Sequence, residues 1–191
     1  MEKMKEKDTN CFNAPELKSV EYVFEIEGIA PIKFDRYLDL PQPGDKEGWK
    51  VQAAQKVWRN ENGFLVLPNA CLKACLREAS SELGPRTGSG KRRRDVRALV
   101  FISPAYLSFE IKNYDGIAED AVKRGQGKKL TTVVTYRPFL KEGWKLKGKL
   151  ISYGPGEDFL KACFKMAGFK YGLCGHRPEF GRFELIKFER L

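Results

Sequence analysis

This sequence predicts an α+β fold, an antiparallel sheet with two main helices, on three observations. Short segments alternate apolar and polar residues, most clearly Val20–Glu27 and Trp144–Ile151, which is the period of a half-buried strand. Two longer segments, at 68–83 and 157–167, repeat apolar residues at helical spacing. The order along the chain is strand, helix, strand, strand, then strand, helix, strand. That order is a split βαβ unit, so the expected architecture is ferredoxin-like (RRM-like) with insertions.

Residues 1–18 are charged and mixed and read as a flexible tail, leaving 19–191 as one domain. The first alternating strand stops at Gly28, and 28–50 follow as a long connection rich in proline, glycine and aspartate. Gly63–Pro68 is a short apolar strand. Pro68 opens the first helix, because proline suits a first turn whose N–H is unpaired anyway. Leu72, Leu76, Ala79 and Leu83 form the inward stripe, and Gly84-Pro85 ends the helix. Residues 84–95 read as a basic loop insertion around Gly88-Ser89-Gly90. Ala98–Ile102 and Ala105–Lys112 are the next strands, and 113–130 form a second basic, loop-like insertion. Thr131–Thr135 is short and β-branched, and Trp144–Ile151 alternates lysine with apolar residues. Glu157–Ala167 is the second helix with Gly168 as its C-terminal cap, and Arg182–Lys187 is the last strand.

At 191 residues and 42% apolar content the chain can bury a sizeable core. Its charge is what stands out. Thirty-five Lys and Arg against 25 acids leave a net charge of +10, which predicts attraction to phosphate backbones or anionic surfaces. No apolar run approaches the roughly 20 residues of a membrane span, and Met1–Thr9 lacks the apolar core of a secretory signal. A cytoplasmic protein with no membrane partner is the expectation. Five cysteines (Cys11, Cys71, Cys75, Cys163, Cys174) without such a signal should be reduced thiols. With no CxxC pair and a single histidine, neither a metal site nor a cofactor is expected.

Lys91, Arg92, Arg93 and Arg94 follow a Gly-Ser-Gly run. A mobile arm for phosphate contact fits that setting better than a solvated helix face, and alanine at 92–94 should then leave stability nearly unchanged. Lys123, Arg124, Lys128 and Lys129 flank Gly125 and Gly127, where phosphate contact and a plain solvated hairpin tip are equally open. Lys33, Arg36 and Tyr37 follow the first strand, with Tyr37 available to stack on a base. Asp35 and Asp39 in the same stretch read as salt-bridge partners before catalysts. The segment Gly168–Arg190 combines Gly168, Gly172, Gly175 and Gly181 with His176 and Arg177, so its backbone N–H groups can approach an anion closely. His176 has the chemistry of a general acid or base. Without a second histidine, a hydrogen bond to phosphate alongside Arg177 is the preferred reading. Arg137-Pro138 sits where a strand leaves the sheet, within reach of nucleic acid or a neighbouring subunit.

The segment Leu67-Pro68-Asn69-Ala70-Cys71-Leu72-Lys73-Ala74-Cys75-Leu76-Arg77, the glycine loop with Gly172, Gly175, Gly181 and Phe183, and Gly28–Arg36 together resemble motifs of the RAMP superfamily of CRISPR-associated proteins. The chain departs from the family in carrying Asn69-Ala70 where Gly-Ser is usual, and in a less purely glycine final loop. The resemblance is nearest to the backbone-subunit branch and its small phage and mobile-element relatives. It implies a non-catalytic subunit that binds single-stranded guide RNA and forms a head-to-tail filament along it. Implied partners are a target DNA or RNA strand and other effector subunits of antiviral defence. It also implies nucleic-acid contacts at Lys73 and Arg77, and a thumb at 113–130. Two alternatives stay open: an RNA-processing endoribonuclease using His176, and a phage or plasmid single-strand-binding protein of the same fold.

Overall fold

The computed structural model describes residues 18–40, 43–126 and 129–191, and the side chains of 122–131 lie outside the description. The expected tail falls almost wholly outside the described residues. In chain order the elements are β1 (Val20–Gly28), β2 (Ile32–Lys33), α1 (Lys46–Ala53), β3 (Trp58–Arg59), β4 (Leu65–Pro68), α2 (Asn69–Ser80) and α3 (Ser89–Leu99). There follow β5 (Val100–Ser103), β6 (Tyr106–Ser108), β7 (Gly116–Gln126), β8 (Lys129–Leu140), β9 (Lys145–Ser152), α4 (Glu157–Met166) and β10 (Phe183–Arg190).

Four strands form an antiparallel sheet in the order β10-β1-β9-β5. Taken with α2 and α4, this is the ferredoxin-like βαββαβ path, its strands lying fourth, first, third, second. The alternation read in β1 is realised: Tyr22, Phe24 and Ile26 are buried, while Glu21, Glu25 and Glu27 face the other way. Phe164 of α4 meets Phe24 at 5.1 Å and Phe188 at 5.6 Å, and Leu72 and Leu76 of α2 are buried in the same core. Burying each such side chain contributes about 1.5–3 kcal/mol.

Two smaller sheets, β2-β8-β7 and β3-β4-β6, carry the insertions. The first is tied to the main sheet at Trp144, whose Nε1 donates to the Ala30 carbonyl at 2.9 Å. The indole lies directly on Gly28, where a Cβ would come within 2.1 Å of the ring. Only glycine allows β1 and the start of β9 to approach so closely.

Three readings need correction. The stretch 84–95 is not a loop throughout: α3 begins at Ser89, after Gly88 at φ 93, and takes Lys91–Arg94 into a helix. Helix capping by a left-handed glycine turned the apparent linker into an element boundary. The stretch 113–130 is not loop-like either; residues 116–126 are a strand paired along β8, with Asp120 opposite Thr135. Its apolar residues come in adjacent pairs, Ile117-Ala118 and Ala121-Val122, so no period-two alternation marks the strand in the sequence. Gly168 does not cap α4, because the chain continues as a π-helical turn over Ala167–Tyr171 and reverses at Gly172, φ 68.

Candidate nucleic-acid interface

Lys73 and Arg77 lie one turn apart on the side of α2 opposite its buried Leu72, Cys75, Leu76 and Ala79. α3 packs beside α2 while burying only Val96 of its own residues. What holds it is Arg92, which donates through Nε to the Ser80 carbonyl at 3.1 Å, and through Nη2 to those of Ser81 and Pro85 at 3.2 and 2.7 Å. These carbonyls belong to the end of α2 and the turn beyond it, so the guanidinium serves as a C-terminal cap. Arg92 is thus structural, against the expectation that all of 91–94 form a free arm.

With Arg92 turned inward, α3 presents Lys91, Arg93, Arg94 and Arg97 outward. Arg77, Arg93, Arg94 and Arg97 line a concavity of about 300 Å³. One carboxylate serves it: Glu78 accepts from Arg77 at 2.9 Å and from Arg93 at 2.7 Å. Partial burial alone would push the Glu78 carboxyl up, but the hydrogen bonds from Arg77 and Arg93, with their charges, outweigh it and hold the group below the usual carboxylate range. Arg94 and Arg97 have no ion pair among the described residues. Lys73 lies 4.7 Å over the Phe101 ring, and burial followed by the charge of Arg97 lowers its pKa. The concavity is therefore a cationic site in which one carboxylate serves four arginines.

A second concavity, about 490 Å³, adjoins it across Glu78 and is lined by Lys170, Cys174, His176 and Arg177. Lys170 is paired with Glu82 at 3.0 Å, and Arg177 is exposed. Glu78, which lines the second and pairs with Arg77 and Arg93 of the first, links the two, and their basic residues from Arg97 to Arg177 make up a basic strip.

The glycine loop builds the wall of this strip rather than an anion cradle. Gly172 N–H donates to the Ala167 carbonyl at 2.9 Å, Gly175 N–H to Lys33 at 3.2 Å and Gly181 N–H to Pro31 at 2.8 Å. The expectation that these donors face a ligand is corrected, since each is used inside the fold. Gly181 is required by shape: at φ 72 a Cβ would sit 2.0 Å from the Leu173 carbonyl oxygen.

Beneath the loop lies a buried charge cluster. Lys33 and Arg137, each 5% exposed, are not surface cations. Lys33 Nζ donates to Asp120 Oδ1 at 2.6 Å and stands 3.6 Å over the Phe180 ring. Arg137 pairs with Asp35 at 2.9 Å, lies 3.8 Å from Asp120 Oδ2 and donates to Thr135 Oγ1. Lys56 approaches Asp35 at 3.7 Å, and His176 Nε2 lies 3.8 Å from Asp120 Oδ2. Burial first, and then the charge of Arg137, lower the His176 pKa, so the ring is neutral at pH 7. The cluster ties β2, β7, β8 and the C-terminal loop together.

Asp120 is the residue sequence reading missed, and no local pattern marks it, because its partner Lys33 lies on a strand distant along the chain. Asp35 makes the salt bridges expected of it, with Arg137 and Lys56 in place of Arg36. Arg36 and Tyr37 are exposed in the segment after β2. Lys123, Arg124 and Lys129 are placed on β7 and β8 by their backbone, with side chains outside the described residues, and Lys128 lies wholly outside them.

The outward side of the main sheet offers no comparable site. There Glu25 stands opposite Lys147 and Glu27 opposite Lys145, the latter pair at 3.3 Å, so its charges balance. Among the described residues no helix is long and apolar enough to cross a membrane.

No protein-family model matches the sequence, and no curated protein is significantly similar to it. Among solved structures, the chain is similar to a chain of a Type III-B Cmr-β assembly, determined by cryo-EM bound to cognate target RNA. The TM-score is 0.58 at 14% identity, over 92% of this chain and 61% of the other. At that identity the likeness is one of fold. The protein thus has an α+β, ferredoxin-like fold shared with that Cmr-β chain, and spans about three-fifths of its length.

Proposed function

We propose that this protein is a non-catalytic, single-stranded RNA-binding backbone subunit of a CRISPR effector complex. Its RNA lies along the strip between Arg97 and Arg177. The observation that carries this reading is the concavity of Arg77, Arg93, Arg94 and Arg97 with Glu78 as its one carboxylate. The fold shared with a chain of an RNA-bound Cmr assembly supports the choice of ligand. Contacts to phosphates position a strand without reading its sequence, so sequence would be read by base pairing of the bound RNA. Copies associate head to tail along the RNA in the cytoplasm, alongside other effector subunits.

The way the two candidate catalysts are held supports a non-catalytic role. Asp35 is engaged by Arg137 and Lys56, and His176, the one histidine of the chain, sits beside Asp120 with no second titratable imidazole. Labelled RNA incubated with the protein should stay intact with or without magnesium. Arg94→Ala/Arg97→Ala should weaken binding at least about tenfold, two charge-assisted contacts being lost, with an unchanged melting temperature. Cleavage abolished by His176→Ala, or magnesium-dependent cleavage abolished by Asp35→Ala, would replace this reading with an endoribonuclease.

A further inference from the structure

We propose that Glu78 reads the 2′-hydroxyl of a ribose in the bound strand and so makes the basic strip select RNA over DNA, a specificity-determining role that rests on the RNA-binding reading above. Among the residues that line the two concavities, Glu78 is the one carboxylate. Against a polyanion that placement is unfavourable, because a carboxylate repels the phosphates its neighbours attract. Holding guanidiniums in place accounts for only half of the group. Oε1 accepts from Arg77 Nε at 3.1 Å, from Arg77 Nη2 at 2.9 Å and from Arg93 Nη2 at 2.7 Å, whereas Oε2 has no hydrogen-bond partner among the described residues.

Glu82, four residues on in the turn after α2, shows what a purely structural carboxylate looks like in this part of the fold. Its Oε1 accepts from the Tyr171 hydroxyl at 3.0 Å and its Oε2 pairs with Lys170 at 3.0 Å, so both oxygens are engaged. The Glu78 side chain is 31% exposed, and the hydrogen bonds from Arg77 and Arg93 keep it ionised. An ionised carboxylate accepts hydrogen bonds and donates none. The complement of Oε2 is therefore a donor carried by the bound strand.

Position singles out the sugar as the source of that donor. Glu78 stands between the arginines of the first concavity and Lys170, His176 and Arg177, which line the second with it. In an RNA strand each ribose, with its 2′-hydroxyl, lies between two consecutive phosphates. A strand whose phosphates occupy the two concavities thus presents a ribose, rather than a base edge, at the carboxylate. The 2′-hydroxyl is the group by which a protein tells RNA from DNA. It donates to Oε2, whereas a deoxyribose leaves the carboxylate beside the phosphates with nothing to offset the repulsion.

The test compares three labelled strands of one sequence and equal charge on the full chain by fluorescence anisotropy: an oligouridylate, its 2′-deoxy form and its 2′-O-methyl form, which keeps the oxygen but cannot donate. The wild type should bind the oligouridylate about tenfold more tightly than either of the others, the scale of one hydrogen bond to a charged group. Glu78→Ala should bring the oligouridylate down to the level of the other two strands without weakening those. Glu82→Ala should leave the ratio unchanged, and Arg94→Ala/Arg97→Ala should weaken all three strands alike. Equal binding of the three strands by the wild type would overturn the inference while leaving nucleic-acid binding in place. So would a 2′-O-methyl strand bound as tightly as the oligouridylate, since sugar shape or a base edge would then set the preference. A Glu78→Ala protein that keeps the ratio, or weakens all three strands alike, would show that Glu78 only orients the arginines. Failure of all three strands to bind would overturn the RNA-binding reading, and this inference with it.

Discussion

Two glycines separated by six positions illustrate how unequal the residues of one loop are. Gly181 is at φ 72 with a Cβ position 2.0 Å from the Leu173 oxygen, whereas a Cβ at Gly175 would meet nothing closer than 3.5 Å. Gly181→Ala should therefore cost about 2 kcal/mol or more, combining left-handed strain with a backbone clash. Gly175→Ala should cost within about 1 kcal/mol, and chemical denaturation of the two variants measures the contrast. His176 adds a pH dependence of definite sign. Its pKa is lowered in the fold from an ordinary 6.5, so the unfolded chain takes up its proton first. Stability is then highest above pH 6.5 and falls as the pH drops below it toward the folded-state value. His176→Asn, with a side chain that tolerates φ 56, should flatten that part of the profile in a comparison of melting temperatures against pH.

At the scale of an element, α3 is anchored chiefly by one side chain. It buries only Val96 and depends on the three carbonyls that Arg92 caps. Arg92→Ala should lower stability by about 1–3 kcal/mol, the value of hydrogen bonds from a charged donor. Arg94→Ala, two positions on and exposed, should stay within about 0.5 kcal/mol. Equal midpoints for the two variants in denaturant would show that α3 is held by something else. The thiols of α2 and α4 are a second element-scale property. Burial pushes Cys75 and Cys163 up to about 12. The thiolate is the reactive form, so a disulfide reagent at pH 8 should label both slowly in the native protein and rapidly after denaturation.

For the whole molecule, the decisive quantity is where the net charge of +10 is placed. The outward sheet face alternates lysine and glutamate, while the α2–α3 surface gathers arginines around a single carboxylate. Binding to single-stranded RNA should weaken with salt, and the slope counts the phosphates neutralised at about 0.7 per contact. Arg94→Ala/Arg97→Ala should reduce the slope of log K against log salt by about 1.4. Lys147→Ser, on the balanced sheet face, should leave it unchanged. Equal reductions would mean that diffuse charge, not the strip, attracts the RNA.

The sequence by itself determined the ferredoxin-like frame, because the period of β1, β9 and the two main helices is local and survives in the chain order. It also carried the excess of positive charge and the glycines of the last loop. Only the tertiary structure decided which cations are free. Lys33, Arg92 and Arg137 look in the sequence like their neighbours Arg36, Arg93 and Lys141. In the fold the first three meet Asp120, the end of α2 and Asp35. Each of those partners, Ser80–Pro85 excepted, is separated from its cation by dozens of residues. Pairing at that range depends on strand register and on packing between sheets, and no local periodicity encodes either. Gly116–Val122 carries no alternation of its own, and its pairing along β8 is what makes it a strand. The excess of basic residues is legible in the composition; the register of β7 on β8 and the cap on α2 determine which of them stay unpaired.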